Sequence, residues 1–149
     1  MVVCLEGGRH SARGAGLPTV MQNTKLVLII DDEAVIAWLL ASALRDRGHA
    51  VEIATNGMDG LAHARRHRPD AVVLDVMMPE MDGFSVLEAL RSDPHTAEVP
   101  VLLMSAAFEP GYRQRAHQYG GVFVEKPFDW AKVIRTVESL LSSGDPAAA

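Results

Sequence analysis

Residues 71–83 read AVVLDVMMPEMDG, and this stretch decides the fold. Its first four residues are a short, continuous apolar run, the pattern of a strand buried on both faces of a parallel sheet. The run ends in one carboxylate, Asp75. In an open α/β sheet the carboxyl ends of the strands are where ligands bind. Pro79 and Gly83 then mark a turn and a helix entry.

Outward from that stretch the pattern repeats. Residues 26–30, LVLII, form a second buried run, closed by Asp31-Asp32-Glu33. Further strands are expected at 51–54, 99–104 and 122–124, and helices at about 34–46, 58–67, 84–92, 112–119 and 130–141. In the first helix Ile36, Leu39, Leu40, Ala43 and Leu44 recur at helical spacing and are expected to face the core. Ala34, Ala37, Trp38 and Ala41 are expected to face outward, and Gly48 to close the helix. The helix at 112–119 is largely polar and follows Pro110-Gly111, so it is expected to be short. Five strands alternating with five helices imply right-handed crossovers and a parallel sheet covered on both faces.

Composition fits one soluble domain: 149 residues, 48% hydrophobic and 22% charged. A net charge of -5 argues against nucleic acid as partner. Arg65-Arg66-His67-Arg68 reads as a helix C-terminus favoured by its dipole. The single cysteine, Cys4, rules out an internal disulfide and fits a reducing compartment. No apolar run approaches membrane-spanning length, and residues 1–20 lack the apolar segment of a secretory signal, so a cytoplasmic protein is expected. Residues 1–24 and 142–149 read as flexible tails around a domain at 25–141. Met21 offers a second possible start, and neither Cys4 nor His10 is expected to have a role. No further module is evident.

The strand ends carry Asp31 and Asp32, Asp75, Ser105 and Lys126, which a doubly wound sheet brings to one edge. Carboxylates gathered there raise one another's pKa unless a cation intervenes, and a hard oxygen-binding ion such as Mg²⁺ suits them. Lys126 and the Ser105 hydroxyl can meet phosphoryl oxygens. Together these are parts for phosphoryl transfer onto an aspartate. Asp31-Asp32 also suits a helix N-cap. Met77 and Met78 suit packing around the loop. His63 and His67 have metal-ligand spacing on one helix, with no third ligand evident.

On the motifs IIDDE, VVLDVMMPEMDG, LLMSA and VEKPF, taken in this order, the chain resembles a two-component response-regulator receiver domain of the stand-alone, chemotaxis-regulator kind. The resemblance spans about residues 24–141. It implies a flavodoxin-like (βα)5 fold with strand order 2-1-3-4-5. It implies that Asp75 is the phosphoacceptor and that Mg²⁺ is held by Asp32, by Asp75, by the backbone carbonyl of Met77 and, through water, by Asp31. Ser105 and Lys126 would bind the phosphoryl group, with Phe123 at the aromatic switch position. Pro79, Gly83 and Pro127 would support the loops, and the Lys126–Pro127 bond would be cis. The donor would be a histidine kinase or histidine phosphotransfer protein. An unknown downstream protein would be met in trans on the face of helix four, strand five and helix five. No role with nucleic acid or membrane is implied, and the chain would be a monomer or a phosphorylation-dependent dimer. Such a domain catalyses only its own phosphorylation and dephosphorylation.

Several positions depart from the family pattern. Met77 and Ala107 cannot position an attacking water, so slow loss of the phosphoryl group is expected. Phe123 lacks a tyrosine hydroxyl, so any switch works by packing. Trp38, with Ile36 beside it, is a candidate partner surface. Other classes fit less well. Haloacid-dehalogenase-type phosphatases place the nucleophile after strand one with a second Asp two residues on, where this chain has Asp75 on strand three followed by Met77. A pseudo-receiver would lack functional positions that are present here. A nucleotide-binding relative would need a glycine-rich loop after Ile30.

Overall fold

The computed structural model describes residues 24–107, 109–126 and 129–143. The order is β1 (Leu26–Ile30), α1 (Ala34–Asp46), β2 (Ala50–Ala54), α2 (Gly57–His67), β3 (Ala71–Asp75), α3 (Gly83–Ser92), β4 (Val101–Ser105), α4 (Tyr112–Gln118), β5 (Val122–Glu125) and α5 (Trp130–Ser143). The strands form one parallel sheet in the order β2-β1-β3-β4-β5, as the resemblance implies. The expected tails lie almost wholly outside the described residues.

Alternation along each strand divides the core in two. Val27, Ile29, Val73, Leu102 and Met104 pack with α1 and α5 on one face. Leu28, Ile30, Leu74, Leu103 and Phe123 pack with α2, α3 and α4 on the other. Every residue of β3 and β4 is buried, which explains their unbroken apolar runs.

Local chemistry sets the element ends. Asn56 and Asp82 cap α2 and α3, each accepting the backbone N–H three residues on, from Asp59 at 2.8 Å and Ser85 at 2.9 Å. Arg65, Arg66 and His67 lie in the last turn of α2, where the dipole favours them. Gly48 takes φ 91 just past the end of α1, as expected of a closing glycine.

Two sequence-based expectations need correction. β4 begins at Val101, not Val99. The Val99 N–H turns back to the Thr96 carbonyl at 3.2 Å, and Pro100 has no N–H to donate to the ladder. The buried face of α1 is Ala37, Leu40, Ala41 and Leu44, whereas Leu39 is exposed and Ile36 and Ala43 are only partly buried. Residues 34–41 are apolar all round, so hydrophobicity alone leaves the rotation of α1 undetermined. Small Ala37 and Ala41 let the helix approach the sheet between Leu40 and Leu44, and Val35, Trp38 and Leu39 turn outward.

Candidate functional site

The carboxyl ends of β1, β3, β4 and β5 meet at one edge. Asp31 follows β1 and is fully buried. Its N–H donates to the Ala54 carbonyl at 3.1 Å, and its Oδ1 accepts from the Glu33 N–H at 2.9 Å. Asp31 therefore braces its own loop. The N-cap position of α1 is Glu33, whose side chain makes no capping bond. Asp31 Oδ2 is buried with no hydrogen-bond partner among the described residues.

Asp75, the last residue of β3, is also buried. Lys126 Nζ lies 3.5 Å from Asp75 Oδ1, 3.8 Å from Asp31 Oδ2 and 3.1 Å from Glu33 Oε1. The sheet thus directs one ammonium into three carboxylates. Glu33 joins the cluster although sequence reasoning gave it no role. The only sequence signal was its place directly after the Asp pair.

Electrostatics follow from burial. Desolvation pushes Asp31 up to about 7, helped by Asp75 and opposed by the Glu33 N–H and Lys126. Asp75 is likewise raised, first by desolvation and also by Asp32, while Lys126 and the Met77 N–H pull it down. Burial opposes the Lys126 charge, yet Asp31 and Asp75 hold its pKa above the ordinary value. The site therefore has more negative charge than Lys126 balances. Its donors are oxygens, and buried Asp31 Oδ2 has no hydrogen bond among the described residues and only the 3.8 Å ion pair to Lys126, which fits a hard divalent cation.

The remaining expected residues are distributed as follows. Asp32 is exposed beside the cluster, and the three carboxylates that converge are those of Asp31, Glu33 and Asp75. Ser105 ends β4, is buried, and its Oγ accepts the Ala107 N–H at 3.2 Å. Lys126 is held against that strand, its N–H donating to the Ser105 carbonyl at 2.8 Å. The Met77 side chain is exposed while Met78 is buried. The Pro79 carbonyl accepts from the Met81 N–H at 2.7 Å, closing the turn after Asp75. Gly83 packs directly on the Asp75–Val76 backbone. Phe123 is buried, 5.8 Å edge-on from the Tyr112 ring, which lies 5.2 Å from Phe84. Pro127 lies outside the described residues.

On α1 the exposed apolar side chains are Val35 (71% exposed), Trp38 (59%) and Leu39 (44%). Trp38 is exposed as expected, and the large apolar side chains exposed beside it are Val35 and Leu39 in place of Ile36, which is only partly exposed.

A family model for the response regulator receiver domain matches residues 27–138. The chain belongs to this family. It is thus a flavodoxin-like receiver of two-component signalling, and membership implies phosphorylation on an aspartate. The chain is 42% identical over 116 residues to the regulatory protein TcrX of Mycobacterium tuberculosis, covering 77% of this receiver but 49% of TcrX. It therefore spans about half the length of that relative. Against PilH of Pseudomonas aeruginosa the identity is 33% over 121 residues, with 78% of this chain and 97% of PilH covered. Among solved structures, the receiver domain of the P. aeruginosa sensor histidine kinase PA1611 matches with a TM-score of 0.70 and 26% identity. That match covers 79% of this chain and 98% of that one, and the PA1611 domain holds a magnesium ion in its active-site cleft. Among the described residues no helix of this receiver is long and apolar enough to cross a membrane.

Proposed function

We propose that this receiver takes a phosphoryl group from a histidine kinase or histidine phosphotransfer protein onto Asp75, with Mg²⁺, and signals in trans. One observation carries the reading. Asp75 is buried at the end of β3 with Lys126 Nζ 3.5 Å away, beside Asp31 Oδ2, which has no hydrogen bond among the described residues. Asp31, Asp32, Asp75 and the Met77 carbonyl would hold Mg²⁺. When bound, the ion neutralises the carboxylates and the incoming phosphoryl oxygens.

The protein's own groups do the rest. An Asp75 carboxylate oxygen forms the new bond to phosphorus as the donor's P–N bond breaks, and the electron pair of that bond stays on the donor imidazole. Lys126 releases Asp75 and pairs with a phosphoryl oxygen. Ser105 turns its hydroxyl from the Ala107 N–H to donate to another. Movement at Ser105 is passed to Phe123 and to the surface of α4, β5 and α5, which meets the downstream protein. The chain is a signalling domain that catalyses only its own phosphorylation and dephosphorylation. It works in the cytoplasm as a monomer or a phosphorylation-dependent dimer, without nucleic acid.

Val35, Trp38 and Leu39 lie in the first two turns of α1, which starts directly after the Asp31–Glu33 loop, and form the docking surface for the protein donor, since exposed tryptophan is a frequent anchor at interfaces. Two donors test both statements. Acetyl phosphate labels wild type and Trp38→Ala equally, and only with Mg²⁺. Phosphotransfer from the cognate kinase falls at least about ten-fold in Trp38→Ala, the loss of one modest anchor. Labelling without Mg²⁺ contradicts the metal role, and unchanged kinase transfer contradicts the docking surface.

A further inference from the structure

The histidine pair of α2 acquires in three dimensions the third ligand that its sequence neighbourhood lacks. Glu52 lies in the middle of edge strand β2, on the face that α2 covers, and is buried. Its Oε1 is 2.8 Å from His67 Nδ1 and 3.6 Å from His63 Nδ1. His63 Nδ1 is itself buried with no hydrogen-bond partner among the described residues. One donor atom from each of the three residues falls within 4.8 Å of the other two.

We propose that Glu52, His63 and His67 bind a Zn²⁺ ion, with water in the fourth position. Two imidazoles and one carboxylate form a recurrent zinc ligand set, and imidazole selects such ions over Mg²⁺. In tetrahedral zinc at ordinary bond lengths, neighbouring ligand atoms are about 3.4 Å apart. The Glu52–His63 spacing of 3.6 Å already suits this, and the Glu52–His67 pair opens from 2.8 Å by about 0.6 Å, within reach of a side-chain adjustment of partly exposed His67. His67 is partly exposed and supplies the entry path. An unliganded His63 nitrogen against a buried carboxylate is poorly satisfied as a purely structural arrangement, and the ion takes both. α2 runs back from the site edge, so its last two turns lie toward the opposite edge of the sheet. The zinc ties α2 to the edge strand there, apart from the phosphoacceptor.

The test titrates Zn²⁺ into the full chain in excess Mg²⁺, which keeps the acidic cluster occupied, and follows the histidine ring signals by NMR. One Zn²⁺ per chain is expected, moving the rings of His63 and His67. His67→Ala, at a partly exposed position that leaves folding intact, and His63→Ala each weaken binding at least about 100-fold, the upper end of what loss of an outer partner does. Labelling by acetyl phosphate is unchanged in His67→Ala, so this result stands apart from the phosphoacceptor reading. The proposal is overturned by absence of binding, by ions taken up elsewhere (Cys4 or His10 included) with the two rings unmoved, or by equal affinity in the variants.

Discussion

Gly83→Ala lowers the stability of the receiver by about 3 kcal/mol, the upper end for an overpacked site. Gly83 is not one of the glycines with positive φ, so conformational freedom is not the reason. The reason is proximity. A Cβ here would overlap the carbonyl oxygen of Asp75 and come 2.8 Å from Val76 Cα. Both neighbours are backbone and cannot rotate aside. The Gly83 N–H also donates to the Val76 carbonyl at 2.9 Å, and the Val76 N–H to Met104 at 2.9 Å. Any retreat of α3 therefore pulls on the residue after Asp75. Chemical denaturation of wild type and variant measures the loss, and labelling by acetyl phosphate falls with it. A stability change below about 0.5 kcal/mol, the level of an inert surface substitution, contradicts this account of Gly83.

Asp31→Asn stabilises the metal-free protein by about 2 kcal/mol at pH 8 and removes its stabilisation by Mg²⁺. Burial raises Asp31 from 3.8 to about 7 in the folded protein. Between those values the unfolded chain has released this proton while the folded chain still binds it. Stability therefore falls as pH rises across that window, and the loss is complete above about pH 7. A neutral amide of the same shape avoids the cost of a buried charge whose Oδ2 has no hydrogen-bond partner among the described residues. In chelator, thermal unfolding of wild type from pH 5 to pH 8 shows the decline, and Asp31→Asn flattens it. A variant less stable than wild type at pH 8 without metal overturns the assignment of Asp31 as an electrostatic cost retained for binding.

Much of the fold was legible because burial on both faces leaves strands with no polar residues to spare. The runs LVLII, AVVL and VLLM stand out for that reason, and the acid or hydroxyl that ends each run is the first side chain at the site edge. Legibility failed where several arrangements satisfy the same pattern. α1 is apolar around most of its circumference, so packing size at Ala37 and Ala41 chose its face. Glu33 enters the acidic cluster because Lys126, 93 residues later, is folded against it. Glu52 interrupts β2 as a lone mid-strand acid, and its partners His63 and His67 come from the next helix. Gly83 was legible as a helix-entry and loop glycine, but the backbone contact that forces it was not, since a helix-entry glycine and one forced by close approach look alike in sequence.

The most direct test of the central claim locates the phosphoryl group itself. Wild-type protein and Asp75→Asn are incubated with acetyl phosphate and Mg²⁺, trapped by borohydride reduction of the acyl phosphate, digested and mapped by mass spectrometry. The account predicts a single reduced aspartate at position 75 in wild type and no modified peptide in Asp75→Asn. Modification at Asp31, Asp32 or Glu33, or undiminished labelling of a well-folded Asp75→Asn protein, would show that Asp75 is not the phosphoacceptor.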